Sequence, residues 1–181
     1  MKTLMKPSVV ALILLCLSSL FSCGISSTRQ VVSTPSSSEA QEAFTRLKSL
    51  VGSWEKSGSK DSQFRVVFSL TANETVLVET WMRGGEAHSS TLYHPDGDAL
   101  LATHYCPQGN QPRLRFNGSS AENMISFKFQ DVTNLLDPTQ SRQTSLSFEI
   151  GESSQSMIRR EVYSGSEPGD ESSLSLVRSK G

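Results

Sequence analysis

The chain is poor in the residues that carry most metal and nucleophilic chemistry. It holds three cysteines and three histidines in 181 residues. Cys16 and Cys23 fall near the start, so one thiol, Cys106, is left for the rest of the chain. One thiol cannot close an internal disulfide, and Cys106 reads as a small apolar residue to be buried. His88, His94 and His104 lack the His-x-x-x-His spacing of a helical zinc site and have no Cys-x-x-Cys knuckle beside them, so the sequence predicts no metal site. Asp96 and Asp98 offer too few oxygens for calcium. No basic surplus exists either: 17 Lys and Arg stand against 18 Asp and Glu, which speaks against nucleic-acid binding. Nor is there a long apolar run. Residues 9–17 are apolar, but that is too short to cross a bilayer.

What that run does fit is a secretory signal. Lys2 and Lys6 precede it and small residues follow it, the layout of a signal peptide over residues 1–22. Its end, Leu20-Phe21-Ser22-Cys23, resembles the bacterial lipobox, and the resemblance implies that Cys23 receives diacylglycerol. Gly24, which is not an aspartate, directs such a protein to the outer membrane where the cell has two. Losing Lys2 and Lys6 takes the balance from 17 against 18 to 15 against 18. Residues 23–38 are rich in Ser and Thr without apolar periodicity and read as a flexible tether. At about 3.3 Å per extended residue it reaches up to roughly 50 Å from the anchor.

The remainder, residues 39–181, is the size of one domain with one core. Ser37 or Ser38 is placed to cap a helix in which Phe44, Leu47, Leu50 and Val51 share a face, and Gly52 is placed to stop it. The apolar period then changes to two. Phe64, Val66, Phe68 and Leu70 alternate with more polar neighbours, and further strands are expected at 75–82, 89–94, 99–106, 113–116, 124–130, 143–150, 156–163 and 172–178. Ile125, Phe127 and Phe129 form one inward set. Leu146, Phe148 and Ile150 form another. With the segment around Trp54 this makes about ten short antiparallel strands after one short helix: an all-β chain whose hairpin-length connections favour a closed barrel. Closure removes both adhesive edges.

Gly52-Ser53-Trp54 after a helix resembles the Gly-x-Trp opening of the calycin superfamily, in which the tryptophan closes one end of a lipocalin-like barrel. With Gly58 it is also similar, more distantly, to the opening of nitrobindin-like haem barrels. YHPDGDALLATHYCPQGNQPRLRF (93–116) and DVTNLLDP (131–138) resemble a family of exported bacterial lipocalin-like lipoproteins with a THYC-x-x-GNQPR motif. That resemblance implies a β-barrel with a cavity and brings no activity with it. Such relatives carry a histidine soon after the Asp-Pro, where this chain has Thr139-Gln140-Ser141-Arg142-Gln143. Nitrobindin-like barrels draw their iron ligand from a late strand, and no histidine follows His104. Both departures count against haem, and no cofactor is predicted.

Alternation in the strand at 99–106 puts Leu100, Ala102, His104 and Cys106 on one face and Leu101, Thr103 and Tyr105 on the other. The first set is the natural inward one. The loop that follows carries Asn110, Gln111 and Arg113, so the candidate ligand-binding set is His104, Asn110, Gln111 and Arg113, with Tyr93 and Tyr105 as aromatic neighbours. Arg113 would fix an anionic head group and the Phe-lined interior would hold the body. The competing reading makes the same residues loop ties and a satisfied core histidine. His104 and Cys106 project together, but no third orienting group or oxyanion donor accompanies them, so no enzyme is predicted. Two functions follow: a lipid-anchored, monomeric envelope protein binding a small hydrophobic or anionic ligand, or a structural or interaction protein of the envelope with a filled barrel.

The processing reading has a direct check. The mature protein is expected to carry diacylglycerol on Cys23, because two acyl chains anchor stably where one is marginal, and Cys23→Ser is expected to release it from the membrane. Intact-mass spectra of membrane-extracted protein without added lipid mass would contradict this.

Overall fold

The computed structural model describes residues 34–59, 63–119 and 121–180. The signal peptide, Cys23 and most of the tether lie outside the described residues. Helix α1, Ser37–Lys48, starts one or two residues earlier than expected, because Ser36 is the serine three before Glu39 and that spacing makes a capping box. Ser36 Oγ accepts from the Glu39 N–H at 3.3 Å, and the Glu39 carboxylate accepts from the Ser36 N–H at 2.6 Å. Ala40, Ala43, Phe44 and Leu47 line its buried face. The helix ends at Lys48, so Val51 falls off that face and is 39% exposed.

The strands are β1 Gly52–Lys56, β2 Phe64–Thr71, β3 Val76–Arg83, β4 Glu86–Asp96, β5 Ala99–Tyr105, β6 Gln111–Phe116, β7 Met124–Thr133, β8 Arg142–Ile150, β9 Ser156–Ser164 and β10 Glu171–Arg178. Each pairs antiparallel with the next, and β10 pairs back onto β1 through Trp54 and Arg178, giving a closed ten-stranded barrel. The tight turn between β3 and β4 uses Gly84 and Gly85, at φ 60° and 85°, values that match the right-handed twist of a hairpin and favour glycine. Three strands are longer than expected by two residues or more. β4 begins at Glu86, β6 at Gln111, and β7 runs on to Thr133, which makes Gln111 and Asp131 strand residues rather than loop residues.

Antiparallel order gives the barrel two distinct ends. The odd-numbered strands start, and the even-numbered strands finish, at the end covered by α1, which packs against β4 and β5. Trp54 is buried there in one apolar cluster with Leu47, Leu50 and Phe116. Its Nε1 donates to the Leu50 carbonyl at 2.7 Å, and the Arg178 guanidinium lies 4.6 Å from its ring centroid. Arg178 also donates to the carbonyls of Ser49 and Val51, at 2.9 and 2.7 Å. The last strand thus satisfies carbonyls left free where the helix ends. A Cβ on Gly52, at φ 131°, would meet Arg178 Nη1 at 2.6 Å, so a side chain here would push the guanidinium off these carbonyls.

Above Trp54 the interior is filled with edge-to-face aromatics. Phe68 meets Phe148 at 6.3 Å between centroids, Phe148 meets Tyr93 at 6.0 Å, and Phe127 meets Phe116 at 6.1 Å. Full burial of one such ring contributes about 1.5 to 3 kcal/mol, and the edge-on contacts about 0.5 to 1.5 more. Phe129 is the exception among the residues read as inward. The register between β6 and β7 shifts between Arg113 and Leu114. Beside this shift Phe129 is 37% exposed, with the Arg142 guanidinium 5.4 Å from its ring.

Candidate functional site

Strand alternation carries three charges into the barrel. On β3, Glu79 lies on the face of Leu77 and Trp81. On β9, Arg159 and Glu161 lie on the face of Met157 and Tyr163. Glu79 and Arg159 are buried. Burying an unpaired ion costs several kcal/mol even after relaxation, so these groups need partners. β3 and β9 are not neighbours in the barrel. Arg159 therefore reaches across the lumen, its Nε 2.7 Å from Glu79 Oε1 and its Nη1 2.6 Å from Glu161 Oε2.

Further donors meet the two carboxylates. Trp81 Nε1 donates to Glu79 Oε1 at 2.6 Å, and the Tyr93 hydroxyl donates to Oε2 at 2.5 Å. Gln143 Nε2 donates to Glu161 Oε2 at 2.9 Å. The guanidinium sits 4.9 Å from the Trp81 centroid, in cation–π range. Two nitrogens of Arg159 are left over. The Nε–H is not directed at Glu79 despite the short distance, and Nη2 has no hydrogen-bond partner among the described residues.

The same layer fixes the protonation states. Burial, with the Glu79 charge added, pushes the Tyr93 phenol well above its ordinary value. Burial and the Glu161 charge do the same for Tyr163. Burial pulls His104 below its ordinary value, and the Arg159 charge pulls it further. For Arg159 burial acts downward, but Glu79 and Glu161 outweigh it and the guanidinium stays charged. A neutral imidazole has one donor and one acceptor nitrogen. Both are engaged here, Nδ1 by the Thr91 hydroxyl at 2.9 Å and Nε2 by the Tyr163 hydroxyl at 3.1 Å.

Above this layer, at the end away from α1, the barrel is open. A cavity of about 620 Å³ is lined by Phe64, Trp81, Arg83, Arg159, Glu161 and Leu174, with Lys56 at its edge. A neighbouring cavity of about 280 Å³ shares Trp81, Arg83 and Glu161 with it and extends to His104, Cys106 and Tyr163. The lower half of the lumen is therefore packed, the middle ionic and the upper half hollow.

The structure brings together only part of the set expected from the sequence. His104 and Cys106 do share the inward face, in the wall of the smaller cavity. Tyr93 is also inward, but it lies below as a donor to Glu79 and lines neither of these cavities. Tyr105 points outward and is 48% exposed. Arg113 is a correction. Pro112, Leu114 and Phe116 are the buried residues of β6, so alternation turns Arg113 outward. There its Nε and Nη2 meet the Asp131 carboxylate at 2.5 and 2.6 Å.

Asn110 and Gln111 are corrections of the same kind. Asn110 is buried and donates to the Ser141 carbonyl at 3.0 Å. Gln111 donates to the Gly109 carbonyl at 2.8 Å and accepts from the Thr133 hydroxyl at 3.0 Å. Asn134 Nδ2 reaches the same Gly109 carbonyl at 2.6 Å, and Gln140 Nε2 reaches that of Gln108 at 3.2 Å. The two distinctive motifs of the sequence are thus partners in one clasp between the β5–β6 loop and the β7–β8 segment. The left-handed residue in that loop is Gly109, at φ 87°.

Glu79, Arg159, Glu161 and Trp81 were absent from the expected set. Their signal is the occurrence of charge in phase with apolar residues, Leu77-x-Glu79-x-Trp81 and Met157-x-Arg159-x-Glu161. Among the described residues, no cluster of three or more His, Cys, Asp or Glu is arranged to hold a metal ion. With both nitrogens occupied, His104 is a poor candidate for binding haem iron.

No family model and no curated protein matches the chain. Among solved structures, that of Rv2717c from M. tuberculosis is similar to it at 17% identity and a TM-score of 0.48, over 76% of this chain and 98% of that one. The functional reading rests on the cavity and not on this likeness.

His104 gives the layer a pH dependence. Its folded value lies below the ordinary 6.5. On acidification below about pH 6.5 the unfolded chain therefore takes up a proton that the folded chain refuses, and stability falls. Urea titrations from about pH 7.5 to about pH 5.5 are expected to show a shallower loss for His104→Gln than for the wild type. Equal slopes would contradict this placement.

Proposed function

We propose that the chain is a lipid-anchored bacterial envelope protein with a lipocalin-like barrel, which takes up a small, partly apolar molecule through its open end. The observation that carries the reading is the cavity of about 620 Å³ over the Arg159–Glu79–Glu161 layer. Its size is that of a small-molecule site, and its lining is mixed: Phe64, Trp81 and Leu174 give apolar contact, and charged and polar side chains make up the rest. A barrel built only as a scaffold has no need to bury Glu79 and Arg159 where apolar side chains would serve as well or better. The lipobox-like Cys23 and the tether supply the anchor in this reading, and binding rather than catalysis is the activity.

The test uses the full chain with Cys23→Ser and an apolar fluorescent probe, anilinonaphthalene sulfonate. One probe is expected to bind per chain. Ser172→Trp, on β10 in phase with Leu174 and at the cavity wall, is expected to weaken binding by roughly tenfold or more, about 1.4 kcal/mol. Arg113→Ala, on the outer face, is expected to leave binding unchanged. Absence of binding by the folded wild type, or equal binding by Ser172→Trp, would overturn the proposal.

A further inference from the structure

The charges around the cavity are arranged in two tiers. At the floor, with Tyr93, Tyr163 and His104 uncharged, Glu79 and Glu161 stand against the single cation Arg159. An acid group brought to the floor would meet one attraction and two repulsions at comparable range, after giving up its own hydration. The floor is nevertheless not closed to ligands. Arg159 is almost wholly buried, lines the cavity, and keeps Nη2 without a partner among the described residues. Glu161 is 17% exposed at the same wall. One offers a donor, the other an acceptor, and a neutral hydroxyl or amide answers both.

At the rim the balance reverses. Lys56 ends β1 and Arg83 ends β3, both exposed, and both line the cavity. Neither makes an ion pair among the described residues. Between the two tiers run Phe64, Trp81 and Leu174, with the Phe64 and Trp81 rings edge to face at 5.5 Å. Among the described residues the lining is therefore cationic at the mouth, apolar in the middle, and polar with a net negative charge at the bottom.

Resting on the binding reading above, we propose that the cavity takes an amphipathic acid with its charge outward: the acid group between Lys56 and Arg83, the apolar body against Phe64, Trp81 and Leu174, and an uncharged hydrogen-bonding end on Arg159 and Glu161. This orientation is opposite to the one a buried arginine suggests on its own. Its cause is the charge count of the floor.

Four probes of one chain length separate the terms: ω-hydroxydecanoate, decanoate, decanediol and decanedioate. They are titrated at about pH 8, where the acids are ionised, against the full chain carrying Cys23→Ser, by calorimetry. The ω-hydroxy acid is expected to bind tightest. Decanedioate, which must set a second carboxylate on the floor, is expected to bind roughly tenfold more weakly. Lys56→Gln with Arg83→Gln is expected to bring the ω-hydroxy acid down to the level of decanediol and to leave decanediol unchanged. Decanedioate binding as tightly as the ω-hydroxy acid, or no effect of the rim substitutions, would overturn the orientation. If anilinonaphthalene sulfonate binds and none of the four chains does, the ligand class is wrong and the cavity reading stands. If neither it nor any chain binds, the cavity reading itself falls.

Discussion

Across the middle of the barrel a single guanidinium, that of Arg159, is held between Glu79 and Glu161, and the division of the lumen depends on it. Below this layer the buried side chains are apolar or, like Tyr93, turn a polar atom up into the layer. Above it, continued apolar filling would bury the layer still further and strip Glu161 of its remaining contact with solvent. Cation–π contact ties Arg159 to Trp81, and Trp81 in turn donates to Glu79. The cavity wall and the charged floor are thus set by the same few side chains. A substitution in the floor is therefore felt in the wall.

A second polar device lies outside the barrel and has a different task. Arg113 with Asp131, Gln111 with Thr133, and Asn134 with the Gly109 carbonyl hold the loop after β5 to the segment after β7. These groups are largely exposed, where an ion pair adds little to stability. Their effect is geometric. They fix the course of the chain just beyond His104 and Cys106, beside the smaller cavity. The proposed binding belongs to the inner device, and loop order to the outer one.

Most of the architecture was legible from the period of two, because a strand with one buried face must alternate and the turns between strands carry their own residue types. The inward face of His104 was legible for the same reason. Arg113 follows its phase against Pro112, Leu114 and Phe116, which turns it outward, and its nearness to the loop is no guide to its direction. Phe129 was misplaced where the register shifts, and nothing in the local sequence marks that shift. The helix cap was legible from the Ser36–Glu39 spacing and was set one or two residues late. Glu79 and Arg159 lie far apart in sequence, and only closure of the barrel brings β3 and β9 to face each other. Charge in phase with apolar neighbours on each strand was the available sign that something inside had to balance it.

The balance itself is the claim on which the floor, the cavity and the ligand orientation rest. It is measured most directly by a double-mutant cycle of Glu79→Gln and Arg159→Met in urea unfolding. If the two charges compensate each other in the interior, removal of either alone leaves an uncompensated ion and costs about 3 to 5 kcal/mol. The double variant then costs less than the sum of the singles by about 2 kcal/mol or more. Single-variant losses that add to within about 0.5 kcal/mol would show that the charges are met by solvent rather than by each other, and would contradict the account.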